Sequence, residues 1–215
     1  AQEPDFIIKN VSIVSMKDNV VLKNKTIAIK DGKIIEIAEK IKGKAKEVVD
    51  AKGKFLMPSL SDAHVHFPVT EEEMQTTLKL NLINGVTKLR SMRGDWNHVL
   101  WRDKFNAIDS YFPKLYLSPP PVSRGHDLSI VEIEDFVKAA KKHNLDFIKI
   151  LSIKNQSVFK RLDSICAKYE IPLAGHYPRL ASGNELNETV ILNSNYTSFE
   201  HLGGLAGENN ETIAK

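Results

Sequence analysis

The stretch from residue 55 to residue 67 constrains the fold of this chain more than any other. An apolar run reaches Pro58, and the residues after it predict a β-strand that ends in His64 and His66. Side chains two positions apart on a strand point to the same face, so these two imidazoles are expected to lie side by side. Because His is the commonest metal ligand, the pair indicates a metal site. The alternative is a strand end that carries two histidines by chance.

The residues before this stretch predict a small satellite β-sheet. Apolar segments at 6–8, 12–14, 26–30 and 33–37 are rich in β-branched residues, and Asp31-Gly32 between the last two is a strong hairpin signal. Segments 47–50 and 54–57 complete a set that we predict to be antiparallel.

After His66 the pattern changes to alternating helices and strands, which implies parallel pairing. Polar residues are predicted to end successive strands. Lys149, His176 and His201 follow one another at intervals of 27 and 25 residues, close to one βαβ unit. The carboxyl ends of such strands carry the active sites of barrel enzymes. Predicted helices cover 70–84, 97–109, 129–143, 156–169 and 184–193, and predicted strands cover 86–90, 114–117, 146–151, 171–176 and 197–201.

Lys149 alternates out of phase with the isoleucines on either side of it, so it is expected to face the interior of a barrel. A bare ammonium there is costly unless it is paired or chemically changed. Carboxylation by CO2 would convert Lys149 into an anionic carbamate that can bridge two cations. The alternative is an amine that reaches the barrel mouth and pairs with a carboxylate.

His176 and His201 end two later strands, and each alone would suit a buried core histidine. Together with His64 and His66 they are better explained as a ring of nitrogen ligands. Nitrogen and oxygen ligands favour Zn2+, with Mn2+, Fe2+, Co2+ and Ni2+ also compatible.

The motif His64-Val65-His66 after Leu56-Met57-Pro58, followed by Lys149, His176 and Glu200-His201-Leu202, resembles the metal-dependent amidohydrolase superfamily. The greatest similarity is to its imidazolonepropionase-like and prolidase-like branch. Members of that family place a (β/α)8 TIM-type barrel beside a small β-sandwich. The resemblance therefore implies an α/β fold, with residues 1–57 as the N-terminal β-sandwich portion and residues 58–215 as the first part of the barrel.

The resemblance also implies the roles of the site residues. His64 and His66 would hold one metal ion, His176 and His201 a second, and carboxylated Lys149 would bridge two Zn2+ ions, with His176 and Lys149 as the catalytic residues. The activity implied is hydrolysis of a C–N bond, in a cyclic amide or a dipeptide-like substrate, by metal-activated water. Two local departures are Ser59 and Ser61, where the family usually has Gly and Ile, and residues 87–91.

The family places a final Asp on an eighth strand, where it binds metal and shuttles the proton. About six strands precede Lys215, so we expect an incomplete barrel: a shortened form, a fragment, or half of a swapped or split assembly. Such a chain would be catalytically inactive until a missing segment or a partner chain completed it. A third hypothesis is a doubly wound α/β binding protein without metal, although no Gly-rich phosphate loop supports it.

Substrate contacts are predicted from loops after the strands. Arg124 and His126 follow the third strand, and Tyr177 and Arg179 follow His176; a plain surface role is the alternative for each. Arg90 would instead pair with an acid inside the barrel. His98 and His143 fall in helical stretches and are predicted to be surface or helix-end residues. Trp96 and Trp101 are predicted to contribute packing.

The composition limits the classes of molecule that this protein is expected to bind. The charged residues, 30 basic and 27 acidic, are mixed along the chain, so nucleic acid is not implied, and no apolar run is long enough for a membrane span. A small-molecule substrate is expected, and a homo-oligomer is possible. Cys166, the single cysteine, fits a buried helical position. The Ala-Gln start suits either a cleaved secretory signal, with a periplasmic or secreted protein, or a trimmed cytoplasmic one.

Overall fold

The structure is a computed structural model that describes residues 3–107, 111–123 and 130–201. The chain divides into two compact units between Ser59 and Leu60, whereas the sequence predicts a boundary between residues 57 and 58. No helix within the described ranges is long and apolar enough to cross a membrane.

The first unit contains one five-stranded sheet. Its strands are β1 (Phe6–Val14), β2 (Val21–Lys30), β3 (Lys33–Ala38), β4 (Glu47–Asp50) and β5 (Phe55–Leu56). The β2–β3 hairpin turns at Asp31 and Gly32, which both have positive φ as this tight turn requires, so the hairpin prediction is confirmed.

The predicted antiparallel arrangement of this sheet is only partly right. β4 and β5 both pair with β1 in the parallel direction, β4 along its first half and β5 along its second half. The reason is the connection at residues 39–46, which carries the chain from β3 at one edge to the far side of β1. Because β3 and β1 already run in the same direction, a strand that follows this crossover returns parallel to β1.

The second unit alternates strands and helices. Its described strands are β6 (Leu60–His66), β7 (Val86–Arg93), β8 (Lys114–Tyr116), β9 (Ile148–Ile153), β10 (Leu173–Leu180) and β11 (Tyr196–Phe199). Its described helices are α1 (Glu71–Ile83), α2 (Asn97–Phe105), α3 (Ile130–Lys142), α4 (Gln156–Lys168) and α5 (Glu188–Leu192). The predicted order of elements is confirmed, and α5 is shorter than predicted.

The strands of the second unit follow one another in space in the same order as in the chain. Parallel pairs join β6 to β7, β7 to β8, β9 to β10 and β10 to β11. Backbone hydrogen bonds from Val122 N to Lys149 O and from Leu151 N to Val122 O, both 2.8 Å, connect the segment after β8 to β9. A doubly wound sheet reverses its strand order at a switch point. The described strands show no such reversal, which argues against the doubly wound alternative.

Two hydrophobic clusters lie on opposite faces of these strands. The larger one joins Leu89, Ile148 and Leu173 to helix residues such as Leu78 and Leu162. The smaller one consists of Met92, Phe147 and Ala174, which alternate with the strand residues of the first cluster. We call the face with the smaller cluster the inner face. Lys149 and His176, two residues beyond Phe147 and Ala174, therefore also belong to the inner face.

Helix α4 begins at a side-chain cap. Asn155 Oδ1 accepts a hydrogen bond of 2.9 Å from Val158 N, while the buried residues of the helix pack on the sheet. Asn155→Ala should lower the free energy of unfolding by about 1 kcal/mol, because the backbone N–H loses its partner. Urea unfolding monitored by circular dichroism would measure the loss. Asn155→Ser should retain most of the stability, and equal losses in both variants would contradict the capping role.

Candidate active site

The predicted ligand residues lie at different points along their strands. The expectation that each one ends its strand is wrong for Lys149, the second residue of β9, and for His176, the fourth residue of β10, because both strands continue beyond them. His64 and His66 end β6, His176 lies within β10, and His201 follows β11 in a left-handed backbone conformation (φ +66°). Glu200 N donates to Gly175 O at 2.8 Å, which holds the segment after β11 beside β10.

The four imidazoles form a chain of neighbouring rings. Ring centroids are 5.5 Å apart for His66 and His64, 4.6 Å for His64 and His201, and 5.1 Å for His201 and His176. Residues separated by more than 100 positions are therefore adjacent, because the strands β6, β10 and β11 bring these positions together within the second unit. The structure thus brings together the four histidines that the sequence singled out.

A carboxylate lies beside this chain of rings. His64 Nδ1 is 2.7 Å from Glu200 Oε2, and Glu200 Oε1 accepts hydrogen bonds of 3.1 Å from both Arg90 and Ser198. Arg90 also donates to Ser198 Oγ at 2.8 Å. The prediction that Arg90 pairs with an acid is confirmed, and that acid is Glu200.

Lys149 is among the largest fully buried side chains of the described residues, with 1% of its surface exposed. Burial lowers the pKa of Lys149 to about 8; the Arg90 charge acts in the same direction and the Glu200 charge against it. The predicted interior location is confirmed. Burial makes the charged form of this lysine unfavourable. Carboxylation to a carbamate and binding to a metal ion both require the neutral amine.

The remaining pKa shifts follow the same physics. Burial, followed by the effects of His64 and Arg93, lowers the pKa of His66, and burial followed by Lys149 lowers that of His176. Burial alone would raise the pKa of Glu200, but hydrogen bonds from His64 and Ser198 bring it below its usual value. These shifts favour the neutral forms of His66 and His176 and the ionised form of Glu200.

The donor set fits a divalent cation by its chemistry. Neutral imidazole nitrogens are the protonation state that binds metal, and His side chains suit Zn2+. Across the described ranges, however, no three His, Cys, Asp or Glu side chains converge on a point that would hold one ion. The individual ligand assignments, the number of ions and the carboxylation of Lys149 therefore stay predictions.

A hollow of about 320 Å³ opens beside these groups. Its lining includes His176, Tyr177, Arg179, Glu185 and Glu200. Tyr177 is buried, and its hydroxyl donates to Leu186 O at 3.0 Å, so this hydroxyl is engaged within the protein. Arg179 is exposed at the hollow and is the better placed of these two predicted substrate contacts. Arg124 and His126 lie outside the described residues.

Sequence reasoning missed two features of the site region. Ser198 on β11 and Glu200 just after it are two positions apart, a spacing that could have identified the acid that Arg90 needs. His98 was predicted at the surface or a helix end, but although it is the second residue of α2 it is 98% buried, against Phe67 and Trp101. Burial lowers the pKa of His98, in keeping with its apolar surroundings.

Three further residues discussed in the sequence analysis, Trp96, Trp101 and Cys166, pack as predicted. Trp101 is buried in the larger cluster, and Trp96 packs edge-on against Phe136. Cys166 is fully buried, which raises the pKa of its thiol to about 12 and excludes a nucleophilic role.

Comparison with known proteins identifies relatives of the chain. No family model matches. The 5'-deoxyadenosine deaminase of Methanosarcina acetivorans is 48% identical over 67 residues, which is 31% of this chain and 16% of that protein. The adenine deaminase of Thermosipho africanus is 27% identical over 203 residues, covering 87% of this chain and 35% of that protein.

Among solved structures, a bottromycin amidohydrolase aligns with a TM-score of 0.72 at 19% identity, covering 94% of this chain and 44% of that chain. This alignment shows that the chain shares the fold of an amidohydrolase. A Xaa-Pro dipeptidase aligns with a TM-score of 0.66 at 17% identity, covering 83% of this chain and 57% of that chain. The predicted similarity to amidohydrolases is confirmed by these matches, which include enzymes named as deaminases and a dipeptidase. The chain spans less than two thirds of the length of each of these four proteins.

Proposed function

We propose that this chain is part or all of a metal-dependent hydrolase. The enzyme would cleave C–N bonds in cyclic amides or dipeptide-like substrates. The observation that carries the proposal is the meeting of His64, His66, His176 and His201 at one edge of the parallel strands. The buried Lys149 on the inner face supports it. In this proposal the strands β6–β11 are the first part of a (β/α)8 barrel, and the sheet β1–β5 is the N-terminal part of a β-sandwich.

The donor chemistry assigns the groups that would hold metal. His64 and His66 would hold one divalent cation, His176 and His201 a second, and Lys149, as a carbamate, would lie between them. A bound Zn2+ lowers the pKa of water and polarises a carbonyl group, which is the chemistry that such a hydrolysis needs.

The protein's own residues would supply binding and orientation. The hollow beside His176 can admit a small substrate, and Arg179 at this hollow can bind a carboxylate through its guanidinium. Burial lowers the pKa of both Lys149 and His176, which shifts each towards the neutral form that can bind metal. The names of the relatives, which include deaminases, an allantoinase and a dihydroorotase, agree with C–N bonds in small cyclic molecules as the target.

A second candidate keeps the same site but needs a further segment or a partner chain for turnover. The family resemblance assigns proton transfer to an Asp on an eighth strand, and none of the described strands β6–β11 carries that residue in that position. In that case the 215-residue chain would bind metal without hydrolysing substrate.

Elemental analysis of the purified chain, followed by hydrolysis assays with dipeptides and cyclic amides, tests the proposal. We expect about two equivalents of divalent metal and a fall of at least about 100-fold in metal affinity on His64→Ala. His143→Ala, at the end of helix α3, is the matched control and should leave metal binding unchanged. Metal with turnover supports the first candidate, and metal without turnover supports the second. A folded chain that takes up no metal contradicts both.

A further inference from the structure

The carboxylate of Glu200 has three partners, and one of them is a predicted metal ligand. We infer that Glu200 is a positioning residue that holds His64 in the tautomer presenting Nε2, rather than Nδ1, to a divalent cation. This inference rests on the proposed function, because it assigns His64 to a metal ion. It adds a residue to which neither the sequence pattern nor the comparisons assign a role.

The contact geometry is that of a charge-assisted hydrogen bond. His64 Nδ1 and Glu200 Oε2 are 2.7 Å apart, and 26% of the His64 side chain and 11% of the Glu200 side chain are exposed. A carboxylate paired with a guanidinium can only accept, so the proton of this bond belongs to His64 Nδ1. Neutral imidazole carries one proton, which leaves the lone pair for metal on Nε2.

Glu200 is itself held in place by two further bonds. Arg90 and Ser198 both donate to Oε1, so Oε2 remains directed at His64. The guanidinium of Arg90 lies 4.4 Å from the centroid of the Phe147 ring, which belongs to the inner-face cluster. This packing joins the carboxylate to the rigid part of the sheet, and a rigid acceptor can select one tautomer and one ring orientation.

The arrangement also connects three strands that are distant in the chain. Arg90 lies on β7, His64 on β6, and Glu200 follows β11. If Glu200 only stabilised the fold, its ion pair with Arg90 would be sufficient. The additional bond to an imidazole of the predicted metal site is the feature that indicates a positioning role.

Glu200→Ala tests the inference by two independent measurements. In the metal-free protein, 15N resonances of His64 should show the Nδ1-protonated tautomer, and Glu200→Ala should shift the population towards the Nε2-protonated form. Competition with a chromophoric chelator should show Zn2+ affinity about 10–100-fold weaker in the variant. Glu185→Ala is the matched control, because this exposed acid lines the same hollow. It should change neither measurement.

If Glu200→Ala fails to fold because Arg90 loses its partner, Glu200→Gln serves instead. Its amide oxygen can still accept from Nδ1, but a neutral acceptor is weaker than a charged one, so a smaller loss of Zn2+ affinity is expected. The inference would be overturned if the Glu200 variant had the same His64 tautomer as the wild type. It would also be overturned if the wild type bound Zn2+ and the variant bound it with the same affinity. A wild-type chain that binds no Zn2+ would refute the proposed function, and the tautomer measurement would still decide whether Glu200 sets the state of His64.

Discussion

Lys149→Met should abolish tight binding of divalent metal while it makes the metal-free protein more stable. Lys149 is 99% buried, and Met has similar length without a charge to desolvate. We expect Zn2+ affinity to fall by at least about 100-fold, since a ligand should matter at least as much as the residues that support it. The free energy of unfolding of the metal-free protein at neutral pH should rise by up to about 3 kcal/mol, the cost of keeping a charged amine whose pKa is lowered from 10.5 to about 8.

Two measurements on the same samples would check this expectation. Elemental analysis after dialysis against Zn2+ gives the metal content, and urea unfolding in the presence of a chelator gives the stability. Lys160→Met, at an exposed position of α4, is the matched control and should change stability by less than about 0.5 kcal/mol. A Lys149→Met protein that keeps its metal, or that is less stable without it, would show that Lys149 is a structural residue.

Gly175→Ala should lower the free energy of unfolding by about 4 kcal/mol or more, enough to prevent folding of a marginally stable protein. Gly175 precedes His176 in β10 and has φ +138°, a conformation that side chains rarely adopt. An added Cβ would lie 2.1 Å from Ile150 O and 2.8 Å from Ile150 N. Both are backbone atoms of the neighbouring strand, so relief requires β9 and β10 to separate at the site.

Gly85→Ala separates the effect of backbone strain from that of the clash. Gly85 also has positive φ (+80°), but no atom lies within 4 Å of an added Cβ, so its substitution should cost only about 1–2 kcal/mol. Thermal and urea unfolding of both variants would give the two losses. Equal losses would contradict the close approach of β10 to β9 and with it the placement of His176.

The sequence by itself determined the order of the elements and the residues with metal-binding chemistry. Alternation with a period of two on strands and about 3.6 on helices is a local property, which is why the βα repeat could be predicted. The inward direction of Lys149 followed from the same alternation, and the hairpin at Asp31 and Gly32 from the turn chemistry of two residues.

Only the tertiary structure decided which side chains meet. The parallel pairing of β4 and β5 with β1 depends on a crossover, and the burial of His98 depends on how α2 packs against Phe67. The bond between His64 and Glu200 joins residues that are 136 positions apart. No local sequence pattern specifies such a contact, because it depends on the arrangement of all the strands and helices between the two residues. The sequence therefore predicts the candidate ligands, and the fold assigns Glu200 as their neighbour.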